Sequence, residues 1–352
     1  MGSEKPQAEE DSVIPHDKSA AVSRGLREAF GVTAFEDIRA ITGRLSSDLL
    51  FRIVVRGSSF MLLVMPRMDE VNDPKRRFTC MKAAAEAGLA PHAWYISTED
   101  GICITDFVKA LAFPATEALV RMPRLLGMLH ALPPFPKVLN YVTVDKSIQR
   151  FRAASILPRG ETEEVFARYA QLSAVYPHRD SDMVSCHNDL KPENILFDGH
   201  RVWLVDWKAA FVNDRYFDLA IAANFLVTND AEEKAYLQEY FGQPPDEYQL
   251  ARFFLMRQVM HVLAAALFLL LRSSNKPISQ SEKLPPFTDF HQRIWAGGVN
   301  LADNDMKTVY GRIHWEQLLQ NIRQPRFDEA LRIVADRHAY PEGMRRLLPV
   351  AQ

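Results

Sequence analysis

Between Cys186 and Trp207 the chain has little freedom in how it can fold. The run His187-Asn188-Asp189-Leu190-Lys191-Pro192-Glu193-Asn194 is polar and contains a proline, which suits neither a helix interior nor a central strand. Ile195-Leu196-Phe197 and Arg201 to Val205 flank Asp198-Gly199, a strong hairpin signal. The segment therefore reads as an irregular loop feeding a hairpin, with Asp206 at the hairpin's far end. Such a path is expected to bring Asp189, Asn194 and Asp206 together. A lone His-x-Asp is common in surface turns, but a base and two further oxygen donors in this order suit phosphoryl transfer. There a carboxylate orients and deprotonates the attacking hydroxyl, while an amide oxygen and a second carboxylate hold Mg²⁺ on nucleotide phosphates.

A length of 352 residues suits a two-lobed enzyme rather than one small core. The net charge of -2 gives no reason to expect a nucleic-acid partner. Cys80, Cys103 and Cys186 are widely separated and have no metal-ligand spacing, so a reduced, cytoplasmic protein is expected. The polar, proline-punctuated residues 1–20 read as a disordered tail without a secretory signal. The longest apolar run, Val259 to Leu271, falls short of the ~20 residues of a spanning helix. It reads as a buried core helix, and no membrane partner is expected.

Residues 21–108 pattern as a small, sheet-rich N-terminal lobe. A helix from Ser19 to Phe30 stops at Gly31, and strands are expected over Leu49–Val55 and Phe60–Met65. A helix from Arg76 to Ala87 ends at Gly88, and Trp94–Ile96 pairs with Gly101–Thr105. Residues 109–352 pattern as a larger helical lobe. Helices are expected over Ala115–Leu132, Thr162–Tyr176, Phe217–Val227, Ala231–Phe241 and Glu247–Leu271, and again from Asp289 onward. The fold class expected is α+β.

His187 to Asn194, followed by Val205-Asp206-Trp207, resembles the aminoglycoside phosphotransferase / choline kinase family, whose fold is protein-kinase-like. Leu125 to Pro133, Ala87 to Pro91 and Asn213 to Ala220 are similar to flanking segments of that family. The resemblance implies ATP and Mg²⁺ as cofactors and the hydroxyl of a small molecule (an amino alcohol, aminoglycoside or sugar) as acceptor. By the same resemblance Asp189 is the catalytic base, and Asn194 and Asp206 ligate the metal. His187 and Asp218 brace the catalytic loop. Ser46 and Ser47 lie in the turn over the phosphates, and the hinge Thr105–Val108 offers Asp106 and Val108 to the nucleotide.

The chain departs from the family in one respect. The third small-lobe strand, Phe60 to Pro66, has no lysine or arginine to grip phosphate; Val64 stands there instead. The following helix reads Arg76-Arg77-Phe78-Thr79-Cys80, with no partner glutamate. Lys191, helped by Lys208, is the expected substitute, which places Lys191 among the catalytic residues. The alternative is a weak or inactive pseudokinase serving as a nucleotide-binding interaction module. A protein kinase is disfavoured, because Asp206 is followed by Trp207-Lys208 rather than Phe-Gly. Trp295, Tyr310, Trp315, Asp303, Asp305 and Glu316 are available to a cationic substrate, though aromatics there are more often core.

Overall fold

Leu49 to Val55 and Ser58 to Val64 both alternate in burial, as strands with one covered face do. Arg56 and Gly57 join them, each with positive φ (49° and 73°), which is what a two-residue hairpin turn matching the sheet twist requires. The second strand consequently begins two residues before the expected Phe60.

The computed structural model describes residues 14–42, 47–70, 72–138, 144–177, 182–272 and 283–339. In chain order the elements are α1 (His16–Phe30), β1 (Asp37–Ala40), β2 (Leu49–Val55), β3 (Ser58–Val64), α2 (Pro74–Glu86), β4 (Ala93–Ser97), β5 (Ile102–Asp106), α3 (Ala115–His130), α4 (Val144–Ala154) and α5 (Arg159–Val175). There follow β6 (Met183–Cys186), β7 (Ile195–Phe197), β8 (Val202–Leu204), β9 (Phe211–Asp214), α6 (Arg215–Leu226), α7 (Asp230–Phe241), α8 (Glu247–Leu271), α9 (Phe287–Trp295), α10 (Asn304–Ile322) and α11 (Pro325–Ala339). The described residues fall into two units: those within 14–111 together with 194–210, and those within 112–193 together with 211–339.

The first unit is an antiparallel sheet in the order β1-β2-β3-β5-β4. Helix α1 covers one face, burying Ala21, Val22 and Leu26 against Phe51, Ile53, Leu62 and Ile104. On β5 the intervening Cys103 is also buried, and its sulfur lies 3.9 Å from that of Met81 on α2. Both faces of that strand are therefore covered. Pro74 at the first helical position and the Asp73 side chain, which accepts from the Lys75 N–H, start α2. Gly88, with φ of 72°, ends it. The β7–β8 hairpin joins this unit through Leu204 N–H to Leu89 O (2.8 Å) and Leu111 N–H to Phe197 O (2.7 Å). That placement differs from a single cut at 108/109.

Two further readings change. Residues 16–20, expected in the tail, are helical, because Pro15 leads into the first turn and Ile14 already packs with the core. Residues 1–13 lie outside the described residues. Helix α4, not expected, has only Ser147, Ile148 and Phe151 buried, too sparse a stripe to stand out.

The second unit is helical around α8, which a capping box of Asp246 and Gln249 opens. By length and composition α8 is also apolar enough to cross a membrane, and 61% of its most apolar window is buried inside the protein. Strands β6 and β9 form a two-stranded ladder that ends at α6.

Candidate active site

The second unit carries the loop that holds Asp189. Strand β6 ends at Cys186, and the chain then turns through Asn188 with a left-handed backbone (φ 63°). Asparagine tolerates that conformation better than most residues. Asp218, fully buried in the first turn of α6, receives the loop: its two carboxylate oxygens accept the N–H groups of His187 and Asn188, each at 2.7 Å. His130, the last residue of α3, lies 3.3 Å from the same carboxylate through Nε2, and its Nδ1 is 2.8 Å from the Tyr240 hydroxyl. The Asn188 side chain bonds Phe211 O and the Asn213 amide, which ties the loop to β9.

His187 is completely buried, and its Nδ1 accepts the Asp189 N–H at 3.3 Å. That bond assigns the ring proton to Nε2. Asp189 remains partly exposed, with Lys191 Nζ 3.3 Å from its Oδ2. Here Lys191 offsets the charge of Asp189 itself. Tyr310 on α10 also feels this loop. Burial, followed by the negative charges of Glu193 and Asp189, pushes its hydroxyl well above the usual phenol range.

Asn194 and Asp206 belong to the first unit, at the foot of the β7–β8 hairpin. Asn194 is completely buried, and its carbonyl accepts the Val205 N–H at 3.0 Å. Asp206 follows with φ 66° and ψ 66°, a left-handed non-glycine residue like Asn188. Its Oδ1 accepts from Arg77 Nη2 at 3.0 Å, and its Oδ2 accepts from Lys208 Nζ at 3.0 Å. Arg77 also reaches Asp48 through Nη1 at 2.7 Å, and Arg76 reaches Lys208 O at 2.8 Å. An amide oxygen and a carboxylate are hard donors of the kind magnesium takes, and the cations on the carboxylate of Asp206 show that this position attracts positive charge. The donor set fits that ion.

The turn of Asp198 to Arg201 holds the hairpin together. The Asp198 carboxylate accepts from His200 N–H, Arg201 N–H and Trp203 Nε1, and these hydrogen bonds, that of Trp203 foremost, lower its pKa to about 2. Beside it Pro91, Asp106, Phe107, Val108, Lys109, Leu111, Asp198 and Trp203 line a hollow of about 410 Å³. Asp106 ends β5 and accepts from Trp94 Nε1 at 2.7 Å. Ser47 is exposed just before β2, while Ser46 lies outside the described residues.

The structure thus gathers His187, Asp189, Lys191 and Asp218 in one unit and Asn194, Asp206 and Lys208 in the other, with Leu190 to Glu193 joining the two sets. Arg77 and Asp48 were missed. The available signal was that Arg77 shares the buried face of α2 with Met81 and Ala84, at helical spacing. Five of the six C-terminal residues considered for substrate are otherwise engaged. Trp315 and Tyr310 are core, Trp295 bonds Phe113 O, Asp303 caps α10, and Glu316 pairs with Arg312.

Residues 108–254 match the phosphotransferase enzyme family. The matched segment runs from the end of the sheet through the loop and hairpin into α8. Protein LicA of Haemophilus influenzae is 39% identical over 59 residues, 15% of this chain and 17% of that protein. The chain therefore spans less than a fifth of that curated relative. Among solved structures, a choline/ethanolamine kinase family protein from Mesorhizobium loti aligns over 90% of this chain and 99% of its own, with a TM-score of 0.62 and 18% identity. LicA in complex with AMP aligns over 88% and 98%, with a TM-score of 0.54 and 13% identity. At such identities the likeness is one of fold, and the fold is the α+β, protein-kinase-like one.

Proposed function

We propose that this chain is an ATP- and Mg²⁺-dependent phosphotransferase acting on the hydroxyl of a small molecule. The observation that carries the reading is the tethered loop. A buried carboxylate, Asp218, clamps two consecutive backbone N–H groups and leaves Asp189 partly exposed at the loop's tip. Such clamping fixes a general base before substrate arrives, and positioning supplies much of the effect in phosphoryl transfer.

Asp189 accepts the acceptor hydroxyl's proton, and Lys191 tempers the charge of Asp189 until it turns toward the transferred group. Asn194 and Asp206 would hold Mg²⁺, which when bound neutralises charge on the nucleotide phosphates. In this reading Asp106 and Val108, at and just beyond the end of β5, would meet the nucleotide base, and Ser47 would help to cover its phosphates. The solved LicA complex with AMP supports a nucleotide site. The name of the Mesorhizobium loti protein makes amino alcohols the first acceptors to test, ahead of aminoglycosides and sugars. Three free, buried thiols fit a reducing, cytoplasmic setting.

The test is ADP release from Mg-ATP across a panel of these acceptors. At least one should stimulate release, and Asp189→Ala should lower that rate by at least about 100-fold. Nucleotide binding without turnover on any acceptor would instead point to the inactive interaction module.

A further inference from the structure

The cations of the first unit are arranged in an unexpected way. Strand β3 turns Phe60, Leu62 and Val64 into the core and carries no basic residue. The buried cations come from α2 instead, Arg76 and Arg77. Arg77 is 4% exposed at its side chain and spans two acids, Asp48 at the entrance to β2 and Asp206 at the end of the hairpin. Asp48 follows directly on the segment that would cover nucleotide phosphates. A guanidinium this deeply buried is strongly disfavoured without partners, and two carboxylates provide them.

Arg77 uses one N–H of Nη1 and one of Nη2 in these bonds. A planar guanidinium has five donors, so three are not used in these bonds. Asp206 is also bonded on both oxygens, by Arg77 and by Lys208. Each oxygen keeps a further lone pair, but a cation held on it draws on the charge a divalent cation would use, so the tightest metal binding asks for one of those bonds to be released. These two requirements have a common solution, because an arginine that moves from a carboxylate oxygen to a phosphate oxygen satisfies both.

We propose that Arg77 is the phosphate-gripping cation of this protein, a helix-borne arginine serving where a strand-borne lysine is absent. Arg77 keeps its bond to Asp48 and transfers its Nη2 bond from Asp206 to a phosphate oxygen, which frees Asp206 Oδ1 for the metal. The Arg77–Asp206 pair is then the resting form of the site. In the absence of nucleotide it also holds divalent cations off. This proposal rests on the phosphotransferase reading and goes beyond it by naming the group that selects triphosphate over monophosphate.

The test is equilibrium binding, measured by calorimetry without acceptor, of Mg-ATP, of AMP, and of Mn²⁺ alone. In R77M, with its fold checked by thermal melting, Mg-ATP should bind at least tenfold more weakly while AMP stays within about twofold. Mn²⁺ alone should bind several-fold more tightly, because its competitor has been removed. A purely structural arginine would lower both nucleotide affinities alike, and an unchanged ratio of ATP to AMP affinity overturns the proposal. Should R77M not fold, R77K is read by the same ratio: a lysine cannot span both acids, so a fall of about threefold or more supports the proposal and no change overturns it. Wild-type protein that binds neither nucleotide would instead sink the phosphotransferase reading itself.

Discussion

Asn188 and Asp206 both adopt left-handed backbones, and in each case the neighbouring bonds hold them there. The Asn188 side chain is fixed by Phe211 O and Asn213, and Asp206 by Arg77 and Lys208. Strain of this kind persists only where the surroundings over-determine it. Asp218 provides most of that constraint at the loop. Replacing it by asparagine keeps its size but puts an NH₂ group against one of the two backbone donors. Charged hydrogen bonds of this type contribute about 1.5–3 kcal/mol, so Asp218→Asn should lower stability by that amount in urea unfolding. An unchanged midpoint would show that the carboxylate does not anchor the loop. These residues were legible in the sequence because the loop is local: a proline, a hairpin signal and an acid thirty residues on are all readable along the chain. Arg77 and Asp48 were not: helical spacing with Met81 and Ala84 places Arg77 on the buried face of α2, but nothing along the chain announces the two distant acids it meets there. The run Arg76-Arg77 looked like a missing glutamate rather than a cation in its own right.

At the scale of elements, strand β2 and helix α8 follow their apolar patterns to the residue, since burial dominates both. Apart from α4, the elements that escaped were short ones made by pairing. Strand β1 has only four residues, and β6 and β9 exist because they pair with each other. No pattern within a four-residue strand announces a distant partner. The meeting of α8, α9 and α10 was equally hidden, and it contains a chain of three buried histidines. His291 Nδ1 donates to Phe287 O at 2.8 Å, its Nε2 lies 3.1 Å from His314 Nε2, and His314 Nδ1 lies 3.0 Å from His261 Nδ1. One proton per bond satisfies the whole chain with all three rings neutral. Burial pushes His291 down to about 3 and takes His261 and His314 well below their ordinary value, with the Arg257 charge adding to the effect on His261 and His291. The unfolded chain titrates these rings near 6.5 and so binds protons that the folded one refuses. Their stabilisation is complete above that pH and is lost as pH falls below it. Each ring contributes a slope of up to about 1.4 kcal/mol per pH unit. Urea unfolding at pH 7 and pH 5.5 should show this loss before most carboxylates titrate, and equal midpoints would contradict it.

At the scale of the whole molecule, the chain leaves the first unit after Leu111, returns to it at Asn194, and leaves again after Ala210. The returning segment contributes core: Leu204 and Trp207 are buried, and the Cys80 thiol donates to Ala210 O. A fragment of residues 1–111 should therefore lack a cooperative thermal transition, and joining residues 194–210 to it through a flexible linker should restore one. Cooperative melting of 1–111 alone at the midpoint of the joined form would refute this dependence.

The same threading has a consequence for biosynthesis. A ribosome adding about 5–20 residues each second delivers Ala210 on the order of 5–20 s after Leu111. For that interval the nascent first unit waits with the surface meant for Trp207 and Leu204 uncovered. Chaperones, or a neighbouring polypeptide on the same messenger, have that long to find it.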